Sequence, residues 1–446
     1  MASLGKQAVV VGAGMGGLAA AAALSKAFDS VLVIDKDTLP TSAAVRMGVG
    51  QGAHLHQLLK AGEESLERLL PGVTAAFYRA GAKELRVGRD VKVFDFGGWM
   101  EECDGGFSTT SMSRPAYEQI VRERVAALPN VRLKGETPVK RLIVEGGVCT
   151  GLELEDGAKI SADMVLDASG MTAPLMKQLA EEGHAEFETE DVKINVAYTT
   201  GRFRIPEKYR SENAGFFMLA GPPSTSFGFI SPIEDNMWIA SLGKRGGGAP
   251  PRTVEGFREY ARTMDTPVVY DRIKDAEPVG ELRTFAKPFA SRRKLWEAKK
   301  WPERLIPLGD TMSSVNPTYG QGMTVAACEA DALAGMLAKR KTEGKDLDGI
   351  AAEYLPEAGR LSSRAWGLSI SSDYVYPETE GERPANFQMA RALATTLRRL
   401  ADKELDFRVL RYRLVHMVDP DNVLREGPLA LRFFAALQGS MAPGAS

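Results

Sequence analysis

The chain has 446 residues, room for two or three domains, and 44% of them are hydrophobic, as in ordinary globular enzymes. A formal net charge of −2 provides no global basic field for nucleic acid, and no apolar run reaches the roughly 20 residues that a membrane span needs. Three dispersed cysteines, Cys103, Cys149 and Cys328, suit free thiols in a reducing cytoplasm; four histidines without an HExxH or paired-cysteine pattern argue against a metal site.

The N-terminal segment carries the densest signal. Ala8 to Val11 reads as a buried parallel strand, and Gly12-Ala13-Gly14-Met15-Gly16-Gly17 as the turn after it. Leu18 to Leu24 reads as a helix, and Val31 to Ile34 as a second strand ending at Asp35, eighteen residues beyond Gly17. Gly12 permits the tight turn, Gly14 lets backbone approach a pyrophosphate, and Gly17 lets the helix pack on the strand. The helix N-terminus offers free N–H groups to phosphate, and Asp35 can hydrogen-bond a ribose 2′-hydroxyl. Lys6 before an apolar stretch also fits a signal peptide, but four glycines and a completing second strand disfavour that.

A Gly-rich loop follows from Arg46 to His56, then a helix from Gln57 to Leu70 ending at Pro71-Gly72. Residues 84 to 110 alternate like short antiparallel strands, Val91 to Phe94 among them. Ser113-Arg114-Pro115 opens a helix through Ala127, with proline in its first turn. Val139 to Val144 and Val148 to Leu154 read as strands around a Glu-Gly-Gly turn, and Met164 to Asp167 as a buried strand running into Ala168-Ser169-Gly170. Antiparallel patterning returns from Asp191 to Leu242, a helix spans Val254 to Met264, and Leu305 to Leu308 is a strand ending at Gly309-Asp310. A long helix from Gln321 to Lys341 and a mostly helical remainder, amphipathic over Phe387 to Met417, complete the chain.

Three separated signals therefore converge: the glycine turn with Asp35, the strand end Asp167 to Gly170, and Gly309-Asp310 with Asn316-Pro317-Thr318-Tyr319-Gly320-Gln321-Gly322-Met323 at a helix start. An aspartate at a strand end can bind a ribityl hydroxyl, and free N–H groups after Pro317 can stabilise negative charge on a flavin ring. Each segment alone makes good turn chemistry, but together in this order they read as a flavin site. The expected fold is α/β: a Rossmann-like FAD-binding domain of the glutathione-reductase type, interleaved with an antiparallel-sheet substrate domain, plus a C-terminal helical region. The expected boundaries are 1–80, 111–172 and 285–345 for the first, 81–110 and 173–284 for the second, and 346–446 for the third.

With these motifs, residues 6 to 340 resemble the FAD-dependent aromatic-hydroxylase-like monooxygenases, the group A flavoproteins. The segments Arg46 to His56 and Trp301 to Met323 look closer to a bacterial natural-product branch that includes the lasalocid polyene epoxidase. By that resemblance Gly12, Gly14, Met15, Gly16, Gly17, Asp35 and Lys36 match the ADP site. Arg46 and Arg114 match arginines along FAD, and Val139 a backbone contact to adenine. Gly170, Gly309, Asp310, Pro317, Gly322 and Met323 match the middle motif and the ribityl and ring contacts. The resemblance implies reduction of FAD by NAD(P)H, directly or through a flavin reductase. Reaction with O2 to a C4a-hydroperoxide and oxygen transfer, by epoxidation or hydroxylation, to a largely apolar small molecule then follow.

Gly170 is followed by Met171, where the family usually has a different middle motif, which leaves nicotinamide docking open. The tryptophans that mark flavin-dependent halogenases are missing from the Phe227 to Pro232 region. A flavin reductase of isoprenoid double bonds, similar to geranylgeranyl reductases, is the alternative, although Phe227 to Pro232 lacks the tyrosine and tryptophan of its marker strand. A flavin-binding protein without turnover is the non-enzymatic reading. No catalytic acid or base stands out. His54 and His56, two apart, either face the flavin edge or are ordinary loop histidines. Tyr198, Phe216, Phe217, Phe227, Phe229 and Trp238 either wall an apolar substrate pocket or pack a core, and Tyr319 either contacts substrate or fills its turn. In the helical tail, Arg398, Arg399, Lys403, Arg408, Arg411 and Arg413 form either a solvated face or a basic surface for an anionic membrane or a carrier protein.

Overall fold

A computed structural model describes residues 3–95, 97–420 and 422–441. Its centre is a five-stranded, all-parallel sheet in the order Leu305–Pro307, Met164–Asp167, Gly5–Val11, Phe28–Ile34 and Val131–Lys134. The apolar run Ala8–Val11 lies at its middle and is buried on both faces, as continuous hydrophobic strands of parallel sheets are. The Ala-rich helix Met15–Ser25 packs between this sheet and the long helix Gly322–Glu343, so it has no polar face to present. Gly344, in the left-handed region at φ 67°, ends that long helix.

A three-stranded antiparallel unit (Val139–Glu145, Val148–Leu154, Lys159–Ser161) flanks the parallel sheet. The second large element is an eight-stranded sheet built around the long strands Thr189–Arg204 and Pro278–Arg293, with Met237–Arg245, Ser226–Ile233 and Gly215–Met218 beside them. Pro278–Arg293 stays in this sheet along its whole length, across position 285. The sheet is antiparallel except at one place: Val91–Asp95 pairs parallel with Gly215–Met218. The 84–110 region thus splits, because Lys83–Arg86 and Ser108–Ser111 leave it to make a two-stranded antiparallel ribbon of their own.

The helix expected from Gln57 starts only at Lys60. Leu59 is held extended: Thr324 Oγ1 accepts its N–H, and Thr109 Oγ1 donates to the preceding Leu58 carbonyl. The amphipathic stretch Phe387 to Met417 forms two helices, Phe387–Lys403 and Leu405–Val415, separated by Glu404 in an extended conformation. With Ile350–Asp373 and Ala430–Met441 they make a C-terminal helical bundle. The arginines of the expected basic face are largely turned inward. Arg398 and Arg411 meet Asp95, Arg408 meets Glu101, and Arg413 meets Asp419, leaving Arg399 and Lys403 exposed. No helix among the described residues is long and apolar enough to cross a membrane.

Candidate functional site

Strand register brings the three signals together. Val11 pairs with Ile34 and Asp167, and Asp167 with Pro307, so the glycine turn, Asp35, Asp167–Gly170 and Gly309-Asp310 leave adjacent strands at one carboxyl edge. Ligands bind at that edge in open α/β sheets. A Cβ on Gly17 would lie 1.8 Å from the Gly12 carbonyl oxygen, and one on Gly12, at φ +100°, 2.4 Å from the Ala168 oxygen. Both positions exclude any side chain. Gly16 closes against Leu308, tying the first signal to the third, and Met15 is buried at the helix start. Gly14 differs: a Cβ there meets only Arg46 Nη2, at 3.9 Å.

Arg46 organises the adjoining corner. Its Nη1 bridges Asp35 at 3.0 Å and Asp37 at 3.2 Å, and its Nε donates to Glu118 at 2.7 Å. Nη2, buried beside Gly14, has no hydrogen-bond partner. The Asp35 carboxylate also accepts the Ala13 N–H at 2.6 Å, bracing the turn. Arg114, at the N-terminus of the helix Arg114–Ala126, donates to the other oxygen of Glu118. Burial pushes the Glu118 carboxyl up, but Arg114 and Arg46 together hold it below its ordinary value. Glu118 went unnoticed in the sequence, although Arg114, Glu118 and Arg122 at steps of four are a readable helix-face pattern. Lys36 is exposed; Val139 lies just past Thr137, whose N–H bonds the Asp35 carbonyl.

Asp167 is fully buried. One oxygen accepts the Ser169 N–H, the other is unpartnered, and burial raises its pKa. Gly170 is open on the side a Cβ would take, at φ +92°. Gly309 turns at φ +67° and its N–H donates to Glu329 at 2.6 Å. Asp310 Oδ1 lies 3.5 Å from the Cβ position of Gly322, the first residue of the long helix, which Met323 follows buried. Burial raises the Asp310 pKa against the pull of Lys287 and Arg114. Lys287, itself buried and bonded to Ser314, is a second residue that sequence reading missed; a lone lysine in a strand gave no signal.

The turn Asn316–Gly320 is fastened from the C-terminal bundle. Asp373, with no exposed surface, accepts from Asn316 Nδ2 at 2.8 Å and from Ser369, and pairs with Arg245. Arg245 also donates to the Tyr319 hydroxyl at 2.8 Å and stacks 4.7 Å from the Tyr376 ring centre. Pro317 is half-buried in the same turn.

Of the aromatic residues, Tyr198, Phe227 and Phe229 lie together on one face of the eight-stranded sheet, with ring centres 6.4 and 5.5 Å apart in sequence along the row. Val315 just before the Asn316–Gly320 turn, Val325 in the helix Gly322–Glu343 and Trp366 of the bundle pack with them. Trp238 is not with them. It faces the opposite side, against Tyr209 and the Phe257 cluster beneath the helices Val254–Arg262 and Val268–Ile273. His54 is buried against Tyr198 at 4.7 Å, its Nδ1 2.7 Å from Thr200 Oγ1, and burial takes its pKa down to about 4.

The model of the NAD(P)-binding Rossmann-like domain matches residues 10–54. Protein Rv3254 of Mycobacterium tuberculosis is 28% identical over 394 residues, 84% of this chain and 81% of that protein. Squalene epoxidase 3 of Arabidopsis thaliana is 24% identical over 338 residues, 74% of this chain and 59% of its own length. Among solved structures, the flavin-dependent brominase Bmp2 aligns at TM-score 0.64 and 16% identity over 98% of both chains. PqsL of Pseudomonas aeruginosa, described as a probable FAD-dependent monooxygenase, aligns at TM-score 0.63 and 16% identity over 83% of this chain and 97% of its own. The chain has the group A flavoprotein fold.

Proposed function

We propose that this chain is an FAD-dependent monooxygenase that puts one oxygen atom from O2 into a largely apolar small molecule, by epoxidation or hydroxylation. NAD(P)H is the electron donor, directly or through a flavin reductase. The observation that carries the reading is the unpartnered Arg46 Nη2 beside the open Gly14, at the edge where three strand ends meet. A buried guanidinium nitrogen without an acceptor is costly unless a ligand oxygen completes it, and a pyrophosphate supplies such an oxygen. The resemblance to squalene epoxidase 3 supports an apolar substrate and favours epoxidation within this reading.

Gly12, Gly14, Met15, Gly16 and Gly17 would hold the pyrophosphate on the N-terminus of Met15–Ser25, with Arg46 and Arg114 along it. Asp35 would take the adenosine ribose, with Lys36 and Val139 at its edge, and Gly170, Gly309 and Asp310 the ribityl chain. Pro317, Gly322 and Met323 would border the ring, where the N-terminus of Gly322–Glu343 favours negative charge. Bound FAD would supply the electrons and the activation of O2 that no side chain here can. Tyr198, Phe227 and Phe229 make an apolar wall that keeps water out; Tyr319 orients the turn through Arg245. The five-stranded-sheet part is then the FAD domain and the eight-stranded-sheet part the substrate domain.

The test supplies FAD-loaded protein with NAD(P)H, with and without a flavin reductase, under 18O2 and a panel of apolar polyenes, terpenoids and aromatics. A product carrying a single labelled oxygen is expected. A product that gains two hydrogens and no label would move the chain to the isoprenoid reductases, and failure to retain FAD would reject the reading altogether.

A further inference from the structure

Lys287 is a buried cation with little to hold it. It lies on the strand Pro278–Arg293, 6% exposed, opposite Val196 and two residues from Phe285, whose ring centre is 5.7 Å from that of Tyr198. That is the sheet face on which Val315 and Val325 pack. An ammonium has three protons to give, and the Ser314 hydroxyl takes one. Among the described residues no carboxylate comes within 4.0 Å of Lys287 Nζ. An exposed lysine meets its remaining donors with water; a buried one leaves them unmet at a free-energy cost unless a ligand supplies negative charge.

The charge acts on one corner of the site. Burial lowers the Lys287 pKa, with Asp310 pulling against it; burial raises the Asp310 pKa, and Lys287 is the foremost of the charges drawing it back, helped by the Ser314 hydroxyl. Asp310 Oδ1 is also 3.5 Å from the Cβ position of Gly322, where the helix Gly322–Glu343 begins and its free N–H groups point. A full charge from the eight-stranded sheet and the positive end of a long helix thus converge beside Asp310. A lysine that served only to neutralise Asp310 would bond its carboxylate; Lys287 stops at Ser314 instead.

Resting on the FAD reading above, we propose that Lys287 is the counter-charge for reduced FAD. NAD(P)H gives up a hydride, two electrons with one proton, and leaves as NAD(P)+; the neutral oxidised ring that receives it ends with one negative charge. The Lys287 ammonium and the helix N-terminus favour that charge where water is excluded, and so make the ring easier to reduce. Lys287 touches no reacting atom on this account. It is a positioning residue that acts through its field.

The test is the two-electron midpoint potential of FAD bound to the full chain, read anaerobically against reference dyes. Lys287→Met and Lys287→Gln should each make reduction about tenfold less favourable, a fall of about 30 mV, which is the effect of one charge at about 12 Å through an effective permittivity near 20. Lys287→Arg should stay near wild type. Glutamine keeps a donor for Ser314 and loses only the charge, so a merely structural lysine would leave the potential of Lys287→Gln where it was. That result, or a Lys287→Arg potential as low as that of Lys287→Met, would overturn the inference. Wild type alone provides a check should the variants not fold. Its potential should fall by about 30 mV per pH unit between pH 6 and pH 8, one proton for two electrons; twice that slope means a neutral reduced ring and refutes the proposal. Wild type that retains no FAD rejects the cofactor reading itself, whereas FAD retained without these shifts rejects only the role of Lys287.

Discussion

Glu329 sits wholly inside the protein on the long helix Gly322–Glu343, accepting the Gly309 N–H with one oxygen and nothing with the other. Burial, reinforced by the charge of Asp310, lifts its pKa to about 8 from an ordinary 4.5, against the Gly309 hydrogen bond. The folded value lies above the unfolded one. Its contribution to stability is therefore fully present below pH 4.5 and is lost as the pH rises through 8. At pH 7 the wild type has given up about 3 kcal/mol of it, at about 1.4 kcal/mol per pH unit. Glu329→Gln keeps the shape and the acceptor for Gly309 while removing the titration. The variant should match wild type near pH 4.5 and gain on it steadily up to pH 8, then level off. Urea unfolding at pH 5, 6, 7, 8 and 9 reads this as a growing difference in midpoint. A difference that does not change with pH would refute the reasoning, because a purely steric effect of glutamine has no slope.

The two glycine positions separate folding from cofactor binding. Gly17→Ala, with its 1.8 Å clash on backbone, should yield no soluble protein, whereas Gly14→Ala should melt like wild type yet lose FAD affinity by about tenfold or more in a fluorescence titration. Arg245→Met leaves Asp373 without its buried cation and should cost about 3 kcal/mol in denaturant unfolding. His54, His56 and His416 have pKa values lowered by burial to about 4, 3 and 3. Being depressed below the unfolded 6.5, they contribute stability that is present above pH 6.5 and lost as pH falls toward 4. His416→Asn should therefore flatten the acid limb of the wild-type stability curve below pH 6.5, and an unchanged limb would count against a neutral His416.

The first of the three converging strand ends was legible because its determinants are local. Gly12, Gly14 and Gly17 sit on one turn, and the strand that ends at Asp35 follows within the same unit. Period-two alternation likewise marked the strands carrying Phe227, Phe229 and Trp238, but it could not say which face looks toward the Asn316–Gly320 turn. Both faces of that sheet are covered, one by the bundle and the residues around the Asn316–Gly320 turn, the other by the helices Val254–Arg262 and Val268–Ile273. A buried aromatic on either side has the same sequence signature. The pairing of Arg245 with Asp373, 128 residues apart, has no local signal at all. The same is true of Arg398, Arg408 and Arg411: Asp95 and Glu101, which engage them, belong to a region some three hundred residues earlier. Helical periodicity reported where Arg408 and Arg411 fall on a helix, and nothing about what they would meet.

The Asp373 clasp makes the bundle inseparable from the turn it holds. Asn316 and Tyr319 share one turn and Arg245 lies on a distant strand; Asn316 and Arg245 meet a carboxylate contributed by the last turn of Ile350–Asp373, and Tyr319 joins them through Arg245. Grafting the helical tail of another flavoprotein onto this chain would strand those partners unless the donor brought an acid to the same spot. Recombination between relatives is thereby constrained to junctions that carry Arg245, Asn316 and Asp373 from a single parent, so the tail and the Asn316–Gly320 turn would be inherited as one module despite their separation in sequence.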